Sequence, residues 1–172
     1  MQFTIDVSTT CPGWREFCPA AENMAREVAE RTLICGMRAS KLVWKAPLEA
    51  GIVLTDAAEQ QRLNRHYRGQ DRPTNVLAFP AWQPGAAVPP GAPLLLGDIV
   101  LALEVVVREA TQYRKPVSDH LTHLVAHGML HLLGYDHLTE TGAAEMESLE
   151  KSILAELGLP DPYQDTMSFI KA

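Results

Sequence analysis

The segment HGMLHLLGYDH, residues 127–137, constrains the fold of this chain more than any other. In an α-helix, residues four apart sit one turn above each other, about 40° apart around the axis, so His127 and His131 point the same way. Gly134 then tolerates the left-handed conformation that reverses a chain, and His137 follows just beyond it. Four of the six histidines fall within residues 120–131, among Leu121, Leu124, Val125, Met129, Leu130, Leu132 and Leu133. That is the composition of a buried helix. Unpaired imidazoles inside it cost free energy that a bound ion recovers, so the spacing predicts a metal held by His127, His131 and His137.

Three protein ligands with one open position describe a catalytic Zn²⁺ site, whereas closed structural sites use four ligands, usually including cysteine. Cys11, Cys18 and Cys35 all lie far from this segment in sequence, at spacings that match neither a metal clip nor a disulfide framework, and are expected as reduced thiols. His123, one turn before His127, either orients that ligand from behind or faces solvent at the mouth of the site. Asp136 either hydrogen-bonds a ligand imidazole or serves the turn. The outline HxxxHxxGxxH is that of zinc proteases, but Gly128 stands where those enzymes carry the glutamate that acts as general base. A metal centre without that base suits a phosphodiester better than an amide, because phosphoryl transfer demands mainly positioning and charge stabilisation.

The rest of the chain reads as alternating strands and helices. Residues 2–7 alternate apolar and polar positions as a half-buried strand does, and apolar residues from about 15 to 36 recur at helical spacing, with Gly36 as the stop. KLVWKA and GIVLTD, separated by Pro47 and Gly51, read as two extended segments. Asp56 can cap a helix through AAEQQRLNRHYR, NVLAFP and LGDIVLA read as strands, and the Pro- and Gly-rich stretch WQPGAAVPPGAP between them as a surface loop. Helices are expected over about 103–114, from Pro116 to Gly134, and over about 140–157 with a cap near Thr139.

One domain spanning residues 1–172 is expected, with 47% hydrophobic residues to fill its core. The N-terminal MQFTIDVSTT has neither a basic leader nor an apolar run, and no stretch reaches the roughly 20 apolar residues of a membrane span, so a cytoplasmic protein without a membrane partner is expected. A formal charge of −6 argues against coating nucleic acid with the whole surface. Arg62, Arg65, His66, Arg68 and Arg72 nevertheless form a local basic patch.

Two strings give the chain a family likeness. HGMLHLLGYDH follows the pattern HGxLHLxGYDH, and LNRHYRGQDRPTNVLAFP, residues 63–80, follows LNxxYRxxDxPTDVLSFP, so the chain resembles the YbeY family of single-strand-specific endoribonucleases. The likeness covers roughly residues 50–163 and is weak over the first 50. Asn75 and Ala78 depart from the second pattern, Asn75 by lacking a carboxylate. The resemblance implies an α+β fold, a small mixed sheet beside a zincin-like metal helix. It implies one Zn²⁺ on His127, His131 and His137, with Arg68 as the functional arginine. It also implies a role in ribosomal RNA maturation and ribosome quality control, with single-stranded and ribosomal RNA and the small subunit as partners and no DNA. On that view Arg68 clamps a phosphate beside the metal, and Arg62, Arg65 and Arg72 extend a phosphate track. Two rival expectations stand beside it: a zinc metallopeptidase or amidohydrolase, and a non-catalytic ribosome assembly factor with a structural metal.

Overall fold

The computed structural model describes residues 1–164. Among these residues four strands, β1 (Phe3–Thr9), β2 (Leu48–Thr55), β3 (Val76–Pro80) and β4 (Leu94–Ala102), form one sheet in the order β1-β2-β4-β3. β1 pairs with β2 and β2 with β4 in parallel, while β3 runs antiparallel to β4, so the sheet is mixed. Among the described residues six helices accompany it: α1 (Gly13–Phe17), α2 (Ala21–Ala39), α3 (Ala57–Arg68), α4 (Leu103–Gln112), α5 (Val117–Leu132) and α6 (Glu140–Glu156). This is the α+β architecture with a small mixed sheet that the family likeness implies.

α5 occupies the centre. Every residue from His120 to Leu130 is buried, because the helix packs against α2, α4, α6 and the β3–β4 side of the sheet. A helix enclosed on all sides reads as apolar all round, which explains its leucine-rich sequence. Leu121, Leu124, Met129 and Leu130 meet Ile52, Leu54 and Ile99 of the sheet and Leu33 of α2 in one continuous core. Asp56 caps α3 by accepting the Glu59 N–H at 2.8 Å, and Thr139 caps α6 by accepting the Gly142 N–H at 3.0 Å, both as the sequence predicts.

Three expectations about the first 55 residues need correction. The helix expected over 15–36 is two helices, because Pro19 disfavours helical geometry at Cys18, whose ψ is 85°. Gly36 does not stop α2. It lies buried inside the helix, where a Cβ would come within 2.5 Å of Leu133 and 3.3 Å of Leu130, so its role is to let α2 and α5 approach. KLVWKA forms no strand; β2 begins after Pro47 and continues through Gly51, where the missing side chain leaves room for Asp98 of β4. Trp44 of that irregular segment packs edge-on against Trp82, with ring centroids 5.1 Å apart. Trp82, in the Pro-rich segment, also donates its indole N–H to the Leu132 carbonyl at 2.6 Å, which pins this segment beside the end of α5. Cys11, Cys18 and Cys35 are free thiols. No helix among the described residues is long and apolar enough to cross a membrane.

Candidate metal centre

The end of α5 builds the site. Leu133 caps the helix and Gly134 takes φ = 100°, a left-handed conformation that a Cβ would penalise. The Gly134 N–H returns to the His131 carbonyl at 3.0 Å and the Tyr135 N–H to the Leu130 carbonyl at 3.1 Å, the paired bonds of a Schellman reversal. The Tyr135 hydroxyl then donates to the Gly36 carbonyl at 2.8 Å, tying the reversal to α2. The chain turns back, and His137 faces the two helical histidines.

The three imidazoles converge. One ring nitrogen from each of His127, His131 and His137 lies within 4.8 Å of the others, and among the described residues no further His, Cys, Asp or Glu belongs to the group. The Nε2 atoms of His127 and His131 are 3.0 Å apart, close to the roughly 3.3 Å that separates two nitrogens on one tetrahedral Zn²⁺. Burial falls across the set: His127 is buried, His131 half-buried and His137 exposed, so the site opens to solvent on the His137 side. Burial, reinforced by the neighbouring His127 and His137, holds the His131 pKa down to about 4 and leaves its ring neutral, the form a metal binds. The donor set therefore fits a divalent ion.

Both helical ligands are held from behind. His131 Nδ1 lies 3.0 Å from the Tyr135 carbonyl, and His127 Nδ1 lies 2.5 Å from Glu150 Oε1. Glu150, fully buried on α6, was not anticipated from the sequence. Its other oxygen faces His123 Nε2 at 3.2 Å and accepts the Tyr163 hydroxyl. His123 thus reaches the centre only through Glu150 and does not face solvent. The one signal for Glu150 in the sequence is a glutamate among the apolar positions of the last helix, between Leu149 and Ile153. Asp136 serves the turn, accepting the Leu138 N–H at 3.1 Å.

Arg68, the last residue of α3, opens into the same cleft as His131 and His137, a cavity of about 350 Å³ that Pro80, Gly134 and Leu138 also line. Its guanidinium donates to the Ala78 carbonyl at 2.6 Å and leans over the Phe79 ring, 5.5 Å from its centroid. The backbone carbonyl makes this contact, so alanine at position 78 leaves it intact. Asn75 is buried and donates its amide to Glu109 at 2.9 Å, while its own carbonyl caps the Val76 N–H at 2.7 Å. A carboxylate at 75 would oppose Glu109. Arg65 lies 4.0 Å from Asp71, Arg72 bonds Gln70, and Arg62 pairs with Glu59 at 2.7 Å on the exposed flank of α3. Two larger cavities flank the region: one of about 920 Å³ borders the reversal at Gly134, Tyr135 and Asp136, and one of about 660 Å³ runs between residues 42–48 and the Pro-rich segment.

The family model described as Endoribonuclease YbeY matches residues 17–158. A relative of that name from Paramagnetospirillum magneticum is 47% identical over 171 residues, covering 95% of this chain and 98% of its own. Another from Methylocella silvestris is 42% identical over 171 residues, covering 99% and 92%. A solution structure of a Thermotoga maritima protein superposes with a TM-score of 0.55 at 22% identity, covering 94% of this chain and 99% of that one, which speaks for the fold alone. On the family match and these relatives, the chain belongs to the endoribonuclease YbeY family.

Proposed function

We propose that this chain is a zinc-dependent endoribonuclease that cuts single-stranded segments of ribosomal RNA during maturation, with the small ribosomal subunit as the particle it serves. It acts in the cytoplasm as one catalytic unit. Family membership supports the reaction class, and one observation supports the assignment of residues: Arg68 and the two outer imidazoles share one solvent-open cleft.

His127, His131 and His137 would hold the ion through neutral ring nitrogens. A Zn²⁺ held there would supply Lewis-acid chemistry at neutral pH. Arg68 binds the scissile phosphate. One of its N–H groups is committed to the Ala78 carbonyl, which fixes the guanidinium plane, and the others are left to meet phosphoryl oxygens as negative charge redistributes over them. The orientation is fixed before substrate arrives, so little reorganisation accompanies reaction. Arg65, in the last turn of α3, and Arg72, on the turn that follows it, extend a basic path along the backbone of the strand, with Arg62 at its outer end. A net charge of −6 confines RNA to that path.

The peptidase alternative lacks its base: Gly128 sits inside the packed face of α5, where even a Cβ crowds Ile99 and a glutamate side chain has no room. A purely structural metal lacks its fourth protein ligand among the described residues. The test is Arg68→Ala assayed on single-stranded and duplex RNA and on casein, with zinc content measured on the same sample. Cleavage of single-stranded RNA is expected to fall about 10²- to 10³-fold with zinc retained, the loss typical of a charge-stabilising donor. Undiminished cleavage removes Arg68 from the mechanism, and proteolysis of casein with no action on RNA overturns the reading as a whole.

A further inference from the structure

Glu150 presents an unusual electrostatic situation. Its side chain is fully buried, and among the described residues it faces imidazoles, His127 at 2.5 Å and His123 at 3.2 Å, with no lysine or arginine in ion-pair range. Both carboxyl oxygens are engaged: Oε1 lies against His127 Nδ1, and Oε2 lies against His123 Nε2 and accepts from the Tyr163 hydroxyl. A buried carboxylate without a cation is costly. The place where a cation would balance it lies across the His127 ring, at Nε2.

We propose that Glu150 is the positioning carboxylate of the metal centre, fixing His127 as the Nδ1–H tautomer so that its Nε2 lone pair faces the ion, and supplying the buried negative charge that strengthens metal binding. The inference rests on the three histidines holding a metal. A histidine ligand whose second nitrogen is unrestrained can rotate or carry its proton on the wrong atom. Here Nδ1 faces a carboxylate oxygen at 2.5 Å, so the tautomer that hydrogen-bonds to Glu150 carries its proton on Nδ1 and leaves Nε2 towards the other two histidines. His131 receives a weaker version of the same restraint from the neutral Tyr135 carbonyl. His123 and Tyr163 hold the carboxylate in turn, and Tyr163 comes from the segment after α6, so that segment contributes to the centre from behind.

The experiment combines two variants with one measurement on the unmodified protein. Glu150→Gln keeps the shape and removes the charge; Glu150→Leu removes the acceptor as well. Zinc affinity, measured by competition with a chromophoric chelator, is expected to weaken about 10-fold in E150Q and about 100-fold in E150L, the range seen when such carboxylates are removed. Circular dichroism on the metal-free proteins separates this from a folding defect. Long-range proton–nitrogen spectra of the metal-free wild type are expected to place the His127 proton on Nδ1, and this readout stands even if both variants fail to fold. A proton on Nε2 of His127, or folded E150Q with zinc affinity within twofold of wild type, overturns the proposal. A wild type that takes up no zinc instead removes the metal reading beneath it.

Discussion

Gly128 lies between two proposed metal ligands, and its replacement by alanine tests whether packing or chemistry determines that position. A Cβ there would lie 2.9 Å from Ile99 Cγ2 and 3.2 Å from Val76 Cγ2. Both partners are buried and β-branched, on β4 and β3, with side chains too stiff at χ1 to swing away. Overpacking of this kind costs about 1–3 kcal/mol. Alanine in a helix interior recovers about 1 kcal/mol relative to glycine. The net expectation for G128A is a loss of about 1 kcal/mol. In an Ile99→Ala background, itself costing about 2–5 kcal/mol, the 2.9 Å contact disappears and only Val76 must yield by a few tenths of an ångström. There the same change is expected to stabilise by up to about 1 kcal/mol, so the double-mutant cycle carries a coupling of about 2 kcal/mol. Urea denaturation of the four metal-free proteins measures it through the midpoints at constant m. A G128A protein about 1 kcal/mol more stable than wild type, or a cycle with no coupling, refutes the packing argument. The reasoning extends to Gly128→Glu, which restores the protease pattern on paper: that side chain has no space, and the variant is expected not to fold.

Gln60, fully buried on α3, accepts the Thr74 N–H at 2.8 Å and donates to the Val100 carbonyl at 2.9 Å, joining the loop after Arg68 to the sheet. Gln60→Ala is expected to cost about 1–3 kcal/mol for each buried group left unpaired, and to accelerate hydrogen exchange at the Thr74 amide; protection at Thr74 equal to wild type counts against this anchoring role. Zinc at a thousand times its dissociation constant should stabilise the wild type by about 4 kcal/mol, seen as a higher melting temperature that a chelator reverses. His137→Ala should lose most of that increment while keeping the metal-free melting temperature, because its ring is exposed; an unchanged increment argues against His137 as a ligand.

The metal cluster was legible in the sequence because its geometry is local. His127 and His131 share a helix face by periodicity, Gly134 marks the reversal, and His137 lies within reach of the same turn, so short-range conformational rules were enough to bring three rings together. The caps at Asp56 and Thr139 were legible for the same reason. Pro19 was equally local, and its effect on Cys18 breaks the expected first helix in two. What depends on contacts between distant segments was decided only by tertiary structure. Gly36 looks like a helix stop in a linear reading, and only the approach of α5 turns it into a packing site. Gly51 looks like a break, and only the pairing of β2 between β1 and β4 carries the strand through it. Glu150 follows the metal ligands by one helix in sequence, and only the packing of α6 on α5 brings its carboxylate to His127. The joining of Arg68 to the histidine cleft is likewise a product of the fold, because β3 and the reversal after α5 must both be in place before the end of α3 faces the site. Backbone preference acts over a few residues and is written in the sequence. The convergence of distant side chains is set by how the elements bury their apolar faces, which appears only when the chain is folded.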